Sequence, residues 1–204
     1  MNRTIIIGTL ACIVGLMTAC NNQKRTDGGD KPTQEIVYND KIQNTFFGVP
    51  FGSSKDEVVA GFAKHDFYED RYSTNDQLSF NKKDGGPFGL IMGRFSFGGI
   101  NWSHLYVNMS NNQFYSIDFT NAHKTKESAM EQFESVMTAV SAKYQLFEDP
   151  IDDTTSYKRF AGVTKTNQWV LVSCYSYESV SNERYIGVSL AYGDNNFYNV
   201  SNEL

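Results

Sequence analysis

Proline and cysteine are scarce in this chain of 204 residues, which has four of the first and three of the second. Few prolines leave strands free to pair, because proline removes a ladder donor and is confined to sheet edges. The cysteines, at positions 12, 20 and 174, are too few for the disulfide framework that replaces a core in small secreted domains. Stability must come from packed side chains. Long apolar runs are missing too. The longest nearly apolar stretch, from Ile5 to Met17, falls short of the roughly 18–20 residues a bilayer span needs. Nor is there an excess of positive charge. The net charge of −5 argues against nucleic acid, and against charge-driven adhesion to an acidic membrane.

Catalytic signatures are also lacking. There is no glycine-rich phosphate loop and no Gly-x-Ser-x-Gly elbow. His65, His104 and His123 show no metal-ligand spacing, and read as surface or hairpin histidines. The pair Asp152-Asp153 and the run Asp194-Asn195-Asn196 lack the alternating oxygen ligands of a calcium loop and read as turns. Ser79-Phe80-Asn81-Lys82 matches Ser-x-x-Lys, but in a strand-like stretch and without a Lys-Thr-Gly partner. Cys174 sits in an apolar strand and reads as a buried, inert thiol. No catalytic residue, metal or cofactor is expected.

What is present is aromatic. Phenylalanine, tyrosine and tryptophan make up 14% of the chain, with 15 Phe and 12 Tyr, which favours strands over disorder or long helices. The N-terminus has its own pattern. Arg3 precedes the apolar run, and Met17-Thr18-Ala19-Cys20 closes it. A basic start, an apolar middle and small residues at the end make a secretory signal. The closing four residues resemble the lipobox of bacterial lipoproteins, with Met17 in place of the usual leucine. That resemblance implies cleavage before Cys20 and lipid on its sulfur. An ordinary secreted protein cut near Ala19, with Cys20 a free thiol, is the other reading. More than one acyl chain anchors stably where one does not, so Cys20 would tether the chain to a membrane it does not cross. Removing residues 1–19 takes Arg3 and leaves 17 basic against 23 acidic residues, a charge of −6 over about 185 residues. That length suffices for one domain with a sizeable core.

Residues 20–43 are mostly polar, with Gly28-Gly29 and Pro32, and read as a tether reaching about 25–30 Å. Ile36-Val37-Tyr38 within it is a candidate short strand. The domain is expected over 44–204, with halves 44–120 and 121–204. Ser54 with Glu57 makes a capping box, ahead of a helical face of Val58, Val59, Phe62 and Ala63. Thr125 caps a second helix, whose face is Met130, Phe133, Met137, Val140 and Tyr144. Alternating segments follow each helix, separated by turns such as Asp84-Gly85-Gly86-Pro87 and Asn111-Asn112. The expected fold is α+β: a mainly antiparallel sheet with two helices on one face, as two helix-then-strands repeats.

Register in one hairpin assigns the faces. A two-residue turn at Asn111-Asn112 pairs Leu105 with Asp118, a charge among apolar groups. A three-residue turn sets Leu105, Val107 and Met109 against Phe119, Ile117 and Tyr115, and is preferred. Those six residues are expected under the helices, with Val170, Val172, Cys174, Ile186, Val188 and Leu190. The opposite face then carries Trp102, His104, Tyr106, Asp118, Trp169, Tyr175 and Tyr177, open to water. Aromatic residues of this kind form binding hot spots, and they also pair simply to stabilise sheets.

The opening Phe46-Phe47-Gly48-Val49-Pro50-Phe51-Gly52-Ser53-Ser54 resembles the start of small envelope lipoproteins of Gram-negative bacteria. The helix-then-strands repeat is similar to the β-lactamase inhibitor protein and, more loosely, to the small lipoproteins of outer-membrane protein assembly. The resemblance implies a binding module, held at the envelope (outer membrane, facing periplasm or surface) through Cys20, with a protein or glycan partner. An assembly or scaffold role in an envelope complex, or a small hydrolase, are the alternatives. Replacing Cys20 by Ser is expected to abolish labelling with radioactive palmitate and to move the protein from the membrane pellet to the supernatant. Retention in the pellet with undiminished label would exclude the lipobox reading.

Overall fold

The computed structural model describes residues 36–73, 76–83, 94–149, 155–179 and 181–198. The leader, Cys20, the turn at 84–87 and Asp152-Asp153 lie outside the described residues. Contacts divide the chain into residues 1–34 and 35–204, and the described part belongs to the second unit.

A short hairpin of β1 (Thr45–Phe46) and β2 (Val49–Pro50) leads into helix α1 (Lys55–Ala63). There follow β3 (Phe67–Glu69), β4 (Gln77–Lys82), the small hairpin β5 (Phe95–Phe97) and β6 (Ile100–Trp102), then β7 (His104–Ser110) and β8 (Gln113–His123). Helix α2 (Lys126–Ser141) opens the second half, followed by β9 (Phe147–Glu148), β10 (Ser156–Val163), β11 (Gln168–Glu178) and β12 (Arg184–Asp194). Eight strands form one antiparallel sheet in the order β3-β4-β7-β8-β12-β11-β10-β9. The fold is α+β, and the plan of a helix followed by strands occurs twice. The two halves meet along β8 and β12, paired from Ser116 opposite Gly193 to His123 opposite Ile186.

Local chemistry sets the helix starts. Ser54 N–H donates to Glu57 Oε2 at 2.8 Å, and Glu57 N–H donates to Ser54 Oγ at 3.4 Å, which closes the expected capping box. Thr125 Oγ1 accepts from Ser128 N–H at 3.3 Å and caps α2. Val58 and Phe62 are the buried residues of α1, while Ala63 is exposed. On α2 the buried stripe is Ala129, Phe133, Val136 and Val140, with Met130 and Met137 packed alongside. The helix is therefore turned slightly from the expected face, with Ala129 and Val136 buried and Met130, Met137 and Tyr144 at the edge of the core.

Both helices bury their apolar stripes on the same face. The core joins them to Leu105, Val107, Ile117 and Phe119 of the first half, and to Val170, Val172, Cys174, Val188 and Leu190 of the second. Ile186 packs against this layer. Burial pushes the Cys174 thiol up, against a weaker downward pull from Lys126 and Lys158, as befits an inert core residue. Phe119 is central: Phe97 stacks on it at 4.1 Å, and Phe46, Phe95 and Trp102 surround it.

Two expectations need correction. The β7–β8 turn has two residues, not three: Ser110 pairs with Gln113 and Met109 with Phe114. Asn111 and Asn112 both have positive φ, 48° and 62°, as a type I′ turn requires, and Asn tolerates this. A register shift between Asn108 and Met109 then restores the expected pairs of Val107 with Ile117 and Leu105 with Phe119. Tyr115 is the extra residue of this bulge. It leaves the layer under the helices to Phe114 and packs against the Tyr198 ring at 5.0 Å. Secondly, the chain is anchored before residue 44. Asn39 N–H donates to Val163 O at 2.8 Å, its side chain exchanges hydrogen bonds with the Gln145 backbone, and Ile42 is buried in the core. Ile36, Val37 and Tyr38 are exposed and outside any strand.

Truncating Phe119 to Ala is expected to cost about 3–5 kcal/mol, as for other buried aromatics. Ser54→Ala is expected to cost about 1 kcal/mol through loss of the cap. Urea-unfolding midpoints measure both, and equal costs would contradict this view of the core.

Candidate functional site

The sheet face turned away from the helices is built by strict alternation. From β7 and β8 it takes His104, Tyr106, Asp118 and Thr120, and from β12 it takes Tyr185, Gly187, Ser189, Ala191 and Gly193. β11 adds Trp169, Leu171, Ser173, Tyr175 and Tyr177, and β10 adds Arg159. Facing pairs fix the rows. His104 lies opposite Thr120, Thr120 opposite Ser189, Ser189 opposite Ser173, and Ser173 opposite Arg159. In the neighbouring row Tyr106 lies opposite Asp118, Asp118 opposite Ala191, and Ala191 opposite Leu171.

This face is not uniformly open, which corrects the expectation. Its middle is closed: Ser173 and Ser189 are each 2% exposed, and their hydroxyls share a hydrogen bond of 2.7 Å. Leu171, Ala191 and Thr120 are buried as well. At the far end the guanidinium of Arg159 is 7% exposed, with Nε 2.8 Å from Asp149 Oδ2. Burial pushes the Asp149 carboxyl up, and Arg159 pulls it back down.

The two tryptophans leave the site. Trp102 belongs to β6, not β7. The chain bends at Ser103, whose N–H donates to Asn121 Oδ1 at 2.7 Å, and the alternation restarts there. The indole is 1% exposed, lies in the core against Phe119, and donates through Nε1 to Phe97 O at 3.2 Å. Trp169 is on the expected face but covered. Its ring lies across Gly193, where a Cβ would collide with it, and Nε1 donates to Asn195 Oδ1 at 2.9 Å. Tyr175 repeats this arrangement over Gly187, where a Cβ would come within 2.6 Å of the ring. Glycine weakens a strand interior, and an aromatic laid across it restores cover.

The remaining five expected residues surround the closed middle. His104 is exposed at the rim, hydrogen-bonded to Ser103 Oγ at 3.1 Å and stacked over Tyr106 at 6.3 Å. Loss of water around its ring holds the imidazole below the ordinary value, while Asp70 pulls it up. Tyr175, Tyr177 and Tyr185 form a ladder with centroids 6.0 and 5.8 Å apart, and Tyr177 is 39% exposed. Asp118 is half-buried between Tyr106 on one side and Ala191 on the other. Its Oδ1 is buried and accepts no hydrogen bond. Desolvation pushes its carboxyl up to about 7. Burial, and then the Asp118 charge, push the Tyr106 and Tyr175 hydroxyls up in turn.

Sequence reading missed the buried row of Ser173, Ser189 and Arg159. Parity held the signal, since Ser173 alternates with Trp169 and Tyr175 in the same strand. Among the described residues no group of His, Cys, Asp and Glu could hold a metal ion, and no helix is long and apolar enough to cross a membrane. No protein-family model, curated protein or solved structure matches the chain.

An acid raised from 3.8 to about 7 takes up a proton on folding between those values, so ionising it opposes the folded state as pH rises. Asp118→Asn is expected to be more stable than wild type above pH about 7, on the order of 2–4 kcal/mol. The difference should shrink towards pH 4. Urea titrations across this range measure it, and a difference independent of pH would be inconsistent with a desolvated Asp118.

Proposed function

We propose that this chain is a lipid-anchored binding protein of the bacterial cell envelope, held at the outer membrane through Cys20. It engages a protein partner through His104, Tyr106, Asp118, Tyr175 and Tyr177. The observation that carries this reading is a face on which no helix of the described residues packs, and on which aromatic side chains reach water near a carboxylate oxygen without a hydrogen bond. Tyrosines offer large, stiff contact area at low entropic cost, and such residues dominate binding energies. The helix-then-strands plan, similar in outline to the β-lactamase inhibitor protein, adds support at the level of architecture only.

The test is crosslinking in native cells followed by capture of the lipidated protein beside the variant Tyr106→Ala/Tyr177→Ala. Both side chains are at least partly exposed, so the variant is expected to fold. Each true hot spot should cost about 2 kcal/mol of binding, so the crosslinked partner should be lost from the variant. Equal capture by both proteins would remove this face from the interaction.

A further inference from the structure

Asp118 is the most conspicuous group that the sheet leaves unresolved. Its Oδ1 is buried without a hydrogen bond, and none of the ion pairs among the described residues includes it. A desolvated anion without a partner is costly, and its natural complement is a cation. The surroundings fit one. Tyr106 lies directly opposite on β7, and Tyr175 stands on β11 with its ring laid over Gly187 towards β8. From residue 187 to 193 β12 contributes only Gly187, Ser189, Ala191 and Gly193 to this face, and its one tall side chain here, Tyr185, stands at the start of the strand beside Tyr177. An electron-rich ring beside a carboxylate attracts cations, and Tyr106 supplies one opposite Asp118, while the Tyr175 hydroxyl is near enough to feel its charge. Of the positive charges at this face, Arg159 is three strands away from β8 and already faces Asp149, and Lys124 lies over the Tyr185 ring beside Glu183.

We propose that Asp118, with Tyr106 directly opposite it, receives the ammonium group of a lysine side chain from the protein partner. This rests on the sheet face being the binding surface. An ammonium suits the site better than a guanidinium, because it is compact and brings three donors, whereas the planar fork of arginine asks for paired acceptors. A lysine suits it better than a free amino terminus. Its slender four-carbon stem can lie along the tyrosine rings while the head reaches Asp118. An amino terminus carries backbone bulk directly beside its charge.

Only the ionised carboxylate attracts the cation, so affinity should fall about tenfold per pH unit below the Asp118 value and level off above it. The other titratable and charged groups on this side are Tyr106 and His104 on β7, Tyr175 and Tyr177 on β11, Tyr185 on β12 with Lys124 and Glu183 beside it, Arg159 on β10, and Asp70, which acts on His104 and Tyr106 from the loop after β3. The tyrosines are pushed further up and stay neutral through this range.

The experiment is a nuclear magnetic resonance titration of the full, detergent-solubilised chain at pH 8 with Nα-acetyl-lysine methylamide. Three controls accompany it: the norleucine and 6-hydroxynorleucine isosteres, and alanine methylamide with a free amino terminus. The lysine probe is expected to bind at millimolar concentration and to shift Tyr106 and Tyr175 resonances, with each control at least tenfold weaker. Asp118→Asn should weaken the lysine probe at least tenfold and leave 6-hydroxynorleucine unchanged. The wild-type pH profile provides a second readout that needs no variant. Absence of binding, equal binding of the hydroxyl isostere, equal binding of alanine methylamide or a flat pH profile would each overturn the assignment. None of those outcomes bears on whether the Tyr106→Ala/Tyr177→Ala variant loses its crosslinked partner, so the two readings fail separately.

Discussion

The pairing of β8 with β12 is the constraint on which the rest of the molecule depends. Each half supplies one helix and one four-stranded piece of sheet, and a piece that small has little apolar surface to bury. Joining the last strands of the two halves sets Ile117 and Phe119 beside Tyr192 and Leu190. A single core then forms under both helices. The same pairing creates the opposite face, because it sets Asp118 beside Ala191 and Thr120 beside Ser189. The candidate site therefore draws His104, Tyr106 and Asp118 from the first half and Tyr175 and Tyr177 from the second.

The two faces meet different physical demands. Under the helices, phenylalanines interlock around Phe119, and packing alone decides which residues are tolerated. On the other face β12 carries glycine, serine and alanine, and its neighbours lean across it. Tyr175 covers Gly187 and Trp169 covers Gly193. The cost of glycine in a strand is offset by aromatic cover, and the serine pair is satisfied internally at 2.7 Å. Asp118 Oδ1 and Arg159 Nη2 are exceptions, each buried without a hydrogen bond, and of the two residues only Arg159 has an ion pair among the described residues. A group that opposes folding when ionised, on a face with exposed tyrosines, draws the functional reading to that point.

Much of the architecture was legible because it rests on local rules. Ser54 with Glu57, and Thr125 ahead of α2, announce helix starts through hydrogen bonds that span three residues. Alternation placed Leu105, Val107, Val170, Val172, Val188 and Leu190 on the core side, where they lie. The same alternation misplaced Trp102. It assumed one strand where the chain makes two, and the bend at Ser103 is held by Asn121, a residue 18 positions away. The β7–β8 turn shows the converse. The pairing of Leu105 with Phe119 was right, but the asparagine turn and the bulge at Tyr115 reach it by another route.

The sequence by itself determined the α+β class, the two capped helices, the core side of the long strands and the lone core cysteine. All follow from periodicity and capping, which act between near neighbours. Tertiary structure alone decided which half pairs with which, that Trp102 is core and Trp169 covered, that Arg159 meets Asp149, and that Asp118 lies desolvated opposite Tyr106. Those outcomes depend on contacts between residues far apart in the chain. Burial of a polar atom is a property of everything that surrounds it, and no local pattern of residues encodes that.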